Sequence, residues 1–192
     1  MRRNLALLAV VAAAVTGAPA VAATNHAPKP QIHDGAGDWA VPSQDILDGT
    51  VTANAKTITA VVHLAAAPVP GVVTTYAVTF LVGCKAYAAS YRWTGAPQAE
   101  AASVAEYPCS SGSGPTPDVP AQPTATYPAT GSVSGNSFRI SFASLPGLHL
   151  KSKVYAAAFA QTPPATVTSS ADPSKDDIGG DIAFSRQFIL GR

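Results

Sequence analysis

Between Lys56 and Trp93, apolar side chains return at every second position. Ile58, Ala60, Val62 and Leu64 alternate with Thr57, Thr59 and His63, and Tyr76, Val78, Phe80 and Val82 alternate with Thr75 and Thr79. Tyr87, Ala89, Tyr91 and Trp93 then alternate with Ala88, Ser90 and Arg92. A period of two places successive side chains on opposite faces of an extended chain, a pattern that a helix of 3.6 residues per turn cannot present. Turn residues at Pro68 to Gly71 and at Gly83-Cys84 divide the stretch into three strands, the last two forming a hairpin. The pattern returns at Phe138, Ile140 and Phe142 after a Gly135-Asn136 hairpin turn, and again from Lys151 to Ala160 through Val154, Tyr155 and Phe159. Pro163-Pro164 ends that run, and a last strand is expected from Ile182 to Leu190. No stretch has convincing helical amphipathicity. These features predict an all-β domain over residues 30–192, a single antiparallel β-sandwich of jelly-roll or immunoglobulin-like type with about seven to nine strands.

Residues 94–130 differ in kind. They are rich in Pro, Ser, Gly and Ala, with Ser110-Ser111-Gly112-Ser113-Gly114-Pro115 at the centre, and read as an irregular excursion. Cys84 and Cys109, the only cysteines, flank much of it. In an oxidising compartment an even count is expected to pair, giving one disulfide worth roughly 3 kcal/mol on the chain-entropy account. A metal pair would need further thiol or imidazole ligands nearby, and the sequence has none.

The compartment follows from the start of the chain. Arg2-Arg3, an apolar run from Leu5 to Val15 and small residues through Ala23 make residues 1–23 a signal peptide, cleaved after Ala22 or Ala23. Residues 24–29 form a polar, flexible arm. The apolar run is shorter than the roughly 20 residues of a spanning helix, so the mature chain is expected to be secreted, with no membrane span, and monomeric. Loss of the two leader arginines leaves ten basic against eleven acidic residues, a balance that does not suit a nucleic-acid partner.

Nine of the eleven acids are Asp, and they gather in Gly-containing turns. Asp34, Asp38, Asp45 and Asp48 lie around Gly35, Gly37 and Gly49; Asp172, Asp176, Asp177 and Asp181 lie around Gly179-Gly180. Calcium takes six to eight oxygens from carboxylates and backbone carbonyls, so both clusters are candidate ligands, with Asp34, Asp38, Asp45, Asp48, Asp177 and Asp181 the leading residues. If the first and last strands are neighbours, the two clusters serve one site. Solvated turns are also rich in Asp and Gly without any metal.

The order of these features resembles a known group. The Asp34-Gly35-Ala36-Gly37-Asp38 turn leads to Asp45-Ile46, then to the Ile58-Thr59-Ala60-Val61 strand and a Tyr-bearing pair. After these come the Gly131-to-Phe138 hairpin and the Ser144-Leu145-Pro146-Gly147-Leu148 turn. This is similar to the secreted β-sandwich domains grouped as DOMON-like and family 9 carbohydrate-binding-module-like. The resemblance implies a jelly-roll-like sandwich, often with calcium, that binds sugars or occasionally haem and performs no catalysis. Haem would need axial Met or His ligands, and neither Met1, lost with the leader, nor His26, His33, His63 or His149 is placed for that.

A sugar face presents aromatic rings on which pyranose faces stack. Trp39, Tyr87, Tyr91 and Trp93 are the candidate rings, although aromatic residues at period two are also what a core strand shows. No Gly-x-Ser-x-Gly elbow, His-Glu-x-x-His motif or paired Glu points to an enzyme. The expected function is therefore a secreted, non-catalytic binding domain for carbohydrate or cell-wall polymer, with calcium as a structural ion. The alternative is an extracellular protein–protein interaction or surface protein, including a protease-inhibitor-like one, with no small-molecule site.

Overall fold

In the computed structural model, which describes residues 29–35, 37–109, 122–162 and 180–191, the alternating runs form strands and the strands close on themselves. Chain order is β1 (Ile32–His33), β2 (Ile46–Ala53), β3 (Thr57–Leu64), β4 (Thr74–Val82), β5 (Lys85–Trp93) and β6 (Ala101–Tyr107). There follow β7 (Ala125–Ser134), β8 (Ser137–Ala143), β9 (Lys153–Gln161), β10 (Gly180–Ser185) and β11 (Phe188–Ile189). A single 3-10 turn, Pro97–Ala99, is the one helical element among the described residues.

The ladder runs β10-β1-β2-β3-β8-β7-β6-β5-β4-β9, and β10 also pairs with β9, so ten antiparallel strands make a closed barrel. This corrects the expected sandwich. A sandwich leaves two sheets with free edges, whereas here β10 bonds β9 along Gly180 to Phe184 on one side and β1 on the other, and closure removes the edges. The expected last strand is in fact two, since Arg186-Gln187 breaks it and β11 pairs with the start of β9.

Period-two alternation fills the interior from one side of each strand. Ile58, Ala60, Val62 and Leu64 of β3 meet Phe138, Ile140 and Phe142 of β8, Tyr76, Val78 and Phe80 of β4, and Tyr87, Ala89, Tyr91 and Trp93 of β5. Tyr76 stacks on Phe138 with ring centroids 4.6 Å apart, and Phe80 meets Phe142 edge-on at 5.9 Å. So many rings in one bore require small partners. Ala156, Ala158 and Ala160 line β9, and Gly131 of β7 lies under Tyr91 so closely that a Cβ there would stand 2.2 Å from the ring.

Of residues 94–130, expected to be an irregular excursion, the centre at residues 110–121 lies outside the described residues, and the described parts are ordered. They contain β6 and the first part of β7, and β6 bridges β5 and β7. The Cys84–Cys109 disulfide forms, joining the β4–β5 turn to the end of β6 with Cα atoms 4.6 Å apart. Beside it Glu106 accepts hydrogen bonds from Lys85 Nζ and Tyr127 Oη, both at 2.7 Å.

Two connections cross the barrel ends instead of turning to an adjacent strand. Residues 144–152 link β8 to β9 at the disulfide end, burying Leu145 and Leu148, and the Pro146 carbonyl accepts the Tyr87 hydroxyl at 2.7 Å. Residues 65–73 link β3 to β4 at the opposite end, where the long β1–β2 loop also lies. There Ala65 N–H donates to Asp45 O and Ala66 N–H to Pro42 O, tying the two loops together. This second end carries the acidic residues.

Candidate metal centre

β1 is only two residues long, and its brevity builds the site. Beyond His33 the Asp34 N–H bonds Leu47 O and the chain then turns away as the Asp34 to Asp38 loop, leaving the Ile46 N–H at the start of β2 without a backbone partner on that side. Asp181, near the start of β10, fills the gap. Its Oδ2 accepts the Ile46 N–H at 2.7 Å and its Oδ1 accepts the Ile182 N–H at 2.8 Å. Asp181 is 8% exposed, so a carboxylate from the far end of the chain is held deep against the β1–β2 loop.

The loop brings two more. Asp34 Oδ1 accepts the Gly35 N–H at 2.8 Å, and Gly37, at a φ of +83° that favours glycine, turns the chain so that Asp38 comes back alongside. Asp34, Asp38 and Asp181 each offer a carboxylate oxygen within 4.8 Å of the others, with Asp38 exposed, Asp34 half-buried and Asp181 buried. Asp45, 3% exposed, lies under the same loop, its Oδ2 accepting the Gly37 N–H at 2.9 Å. Its Oδ1 is buried without a hydrogen-bond partner, as is Asp34 Oδ2.

The electrostatics are unfavourable as they stand. Burial pushes the Asp34 carboxyl up to about 6; the Gly35 N–H opposes it, and the neighbouring Asp181 and Asp38 charges add smaller upward pushes. Among the described residues the ion pairs are His63–Asp48 and Lys85–Glu106, so no basic side chain there neutralises the three carboxylates. The geometry fits a hard cation. Oxygens on opposite sides of a calcium ion, at about 2.4 Å each, stand about 4.8 Å apart, the outer limit of this cluster.

Of the six aspartates singled out in the sequence, Asp34, Asp38 and Asp181 come together, and Asp45 sits against their loop. Asp48 does not join them; it lies on the outer wall, paired with His63. Asp177 falls outside the described residues.

The aromatic set disperses. Tyr87, Tyr91 and Trp93 are buried in the barrel core, where alternation places them, and present no face on which a sugar could stack. Tyr91 donates its hydroxyl to the half-buried Glu100, and burial, then Glu100, pushes its phenol up. Trp39 alone stands apart, half-buried next to Asp38, with its indole Nε1 buried and unpartnered. What the sequence reading did not single out is the outward wall of β9 and β10, where Tyr155 is 47% and Phe184 65% exposed. The alternation placing both outside was legible, but their adjacency needed the β9–β10 register, which sets Phe184 opposite Ala157.

No family model matches this chain, and no curated protein or solved structure matches it. No helix among the described residues is long and apolar enough to cross a membrane.

Proposed function

We propose that this barrel is an exported, non-catalytic binding domain whose working end is the acidic one, where a calcium ion held by Asp34, Asp38 and Asp181 pins the β1–β2 loop to β10. One observation carries the reading: carboxylates from residues 34–38 and from residue 181 converge within 4.8 Å with no basic partner among the described residues. The calcium would be structural, since β10 closes the barrel and the ion would tie its first residues to the loop that follows β1. The disulfide supports export, being a bond that oxidising compartments maintain.

Carbohydrate or cell-wall polymer remains the ligand class that this end suits. A calcium ion can accept sugar hydroxyls into open coordination positions, and Trp39 beside Asp38 is the remaining ring for stacking. Tyr155 and Phe184, large apolar side chains exposed on adjacent strands, favour a second reading in which that wall contacts an extracellular protein.

The test is retention on insoluble polysaccharides with calcium or with chelator, alongside calorimetric titration of calcium. Binding of one calcium ion per chain, abolished in Asp34→Asn, together with calcium-dependent retention lost in Trp39→Ala, is the expected result. Absence of calcium binding would overturn the metal centre. Calcium binding without retention on any polymer would shift the ligand to a protein on the β9–β10 wall.

A further inference from the structure

We propose that the disulfide end of the barrel carries a basic rim that binds a linear, phosphate-bearing polymer by charge, at the pole opposite the acidic loop. The near-balance of charge in the sequence conceals a separation along the barrel axis. Lys29, Lys56, Lys85, Lys151, Lys153 and Arg186 lie at the disulfide end, where the one described acid, Glu106, is already engaged by Lys85 and Tyr127. Every other described acid lies in the opposite half, with Arg92 and Arg139 as the described bases there.

The strand order sets the six bases along one arc of the rim. The ring runs β5-β4-β9-β10-β1-β2. Along it, Lys85 opens β5, Lys153 opens β9 and Arg186 follows the end of β10. Lys29 leads into β1, where Gln31 bonds Gly49 and Val51 of β2, and Lys56 sits in the β2–β3 turn. Lys151 belongs to the crossing connection over the same end, its N–H on the Leu190 carbonyl, and that connection begins at Ser144, whose N–H donates to the Lys56 carbonyl. Neighbouring strands stand about 4.8 Å apart, so the five steps from β5 to β2 cover roughly 24 Å, a length that a flexible polymer can follow and a small anion cannot. At this end β6, β7 and β8 contribute no described base, so the charge forms a track and not a full ring.

Folding does not account for these charges. All six side chains are exposed, and Lys85 alone among them makes an ion pair within the described residues, so the other five repel one another. Lys151 also holds a φ of +71°, the one positive φ outside glycine among the described residues, where glycine would fit with less strain. The position keeps a cation against its backbone preference. All but Arg186 are lysines, and an ammonium is a point charge with three donors that suits phosphate oxygens without a shaped pocket. The acidic pole repels the same polymer, so the field of the barrel presents the basic end to it.

The experiment measures binding of labelled long-chain inorganic polyphosphate to the untagged protein in chelator, by fluorescence anisotropy across a salt series. With the five unpaired bases engaged, affinity should fall about a hundredfold between about 50 and 200 mM salt, on the slope found for single-stranded polyanions. On the same slope Lys56→Gln, Lys151→Gln and Lys153→Gln should each weaken binding roughly fivefold to tenfold at about 50 mM salt. Lys151→Gly should weaken it equally while raising the melting temperature, a pair of effects that a purely structural lysine would not give. Asp34→Asn should not weaken it, and because calcium is absent the outcome is independent of the metal centre. Absence of binding at low salt, or affinity unchanged in all three glutamine variants, would overturn the proposal. So would equal affinity for polygalacturonate, which offers carboxylates in place of phosphates, or tighter binding to phosphatidylglycerol vesicles, which would make the end a membrane-facing surface.

Discussion

Replacing Asp34 by Asn removes one negative charge from the acidic end at nearly constant volume, and the structure sets the sign of the result in two solvents. In the folded chain Asp34 is held up at about 6 against an ordinary 3.8. A raised carboxylate favours the fold while protonated; that contribution is complete below about pH 4 and disappears as pH rises through about 6. Taken at face value, the difference between the two values is worth about 3 kcal/mol near neutrality, and solvent access to the half-buried side chain reduces it to roughly 1–2 kcal/mol. In chelator at neutral pH, Asp34→Asn should therefore be more stable than wild type, with a melting temperature higher by about 3–6 °C for a domain of this size. In calcium the order reverses. An ion at 100 times its dissociation constant stabilises the wild type by about 2.7 kcal/mol, and the variant, lacking a ligand, gains little. Thermal unfolding of both proteins, each with calcium and with chelator, gives the four melting temperatures required. If Asp34→Asn lowers stability in chelator, the cost ascribed to burying the Asp34 carboxylate beside Asp181 and Asp38 is not there; if calcium raises both proteins equally, Asp34 is not a ligand.

Gly131→Ala would place a methyl group 2.2 Å from the ring of Tyr91, which is buried and tied to Glu100, so the ring must move. Denaturant unfolding should show a loss of about 1–3 kcal/mol or more, and an unchanged midpoint would mean that the interior is looser than described. At the disulfide end, Lys85 and Tyr127 hold the Glu106 carboxyl below its ordinary value, so its stabilising contribution is present at neutral pH and fades as pH falls through the acid range. The stability difference between wild type and Glu106→Gln should accordingly be largest near neutrality and shrink towards low pH, and a difference that is flat with pH would refute the assignment.

The strands that were legible are those whose inward residues are large. β3, β4, β5, β8 and β9 all announce themselves by alternation because Ile58, Phe80, Tyr87, Phe138 and Val154 must be hidden from water. β2, β6 and much of β7 were illegible for the complementary reason. A closed bore has a limited cross-section, and where another strand contributes a large apolar side chain, these strands contribute Gly49, Ala102 or Gly131, which carry no hydrophobic signal. Closure itself was hidden too, since a sandwich and a barrel impose the same period of two. They differ in whether the last strand finds the first, and here that contact rests on a β1 of two residues that no periodicity could reveal. The candidate sites divide along the same line. The acidic clusters were visible as composition, and that Asp181 meets Asp34 and Asp38 follows from the first and last strands being neighbours. The convergence of Asp34, Asp38 and Asp181 thus sits along the seam where β10, β1 and β2 complete the barrel. The calcium ion proposed there would stabilise that seam more than any other part of the ring, because β1 contributes so few ladder hydrogen bonds of its own.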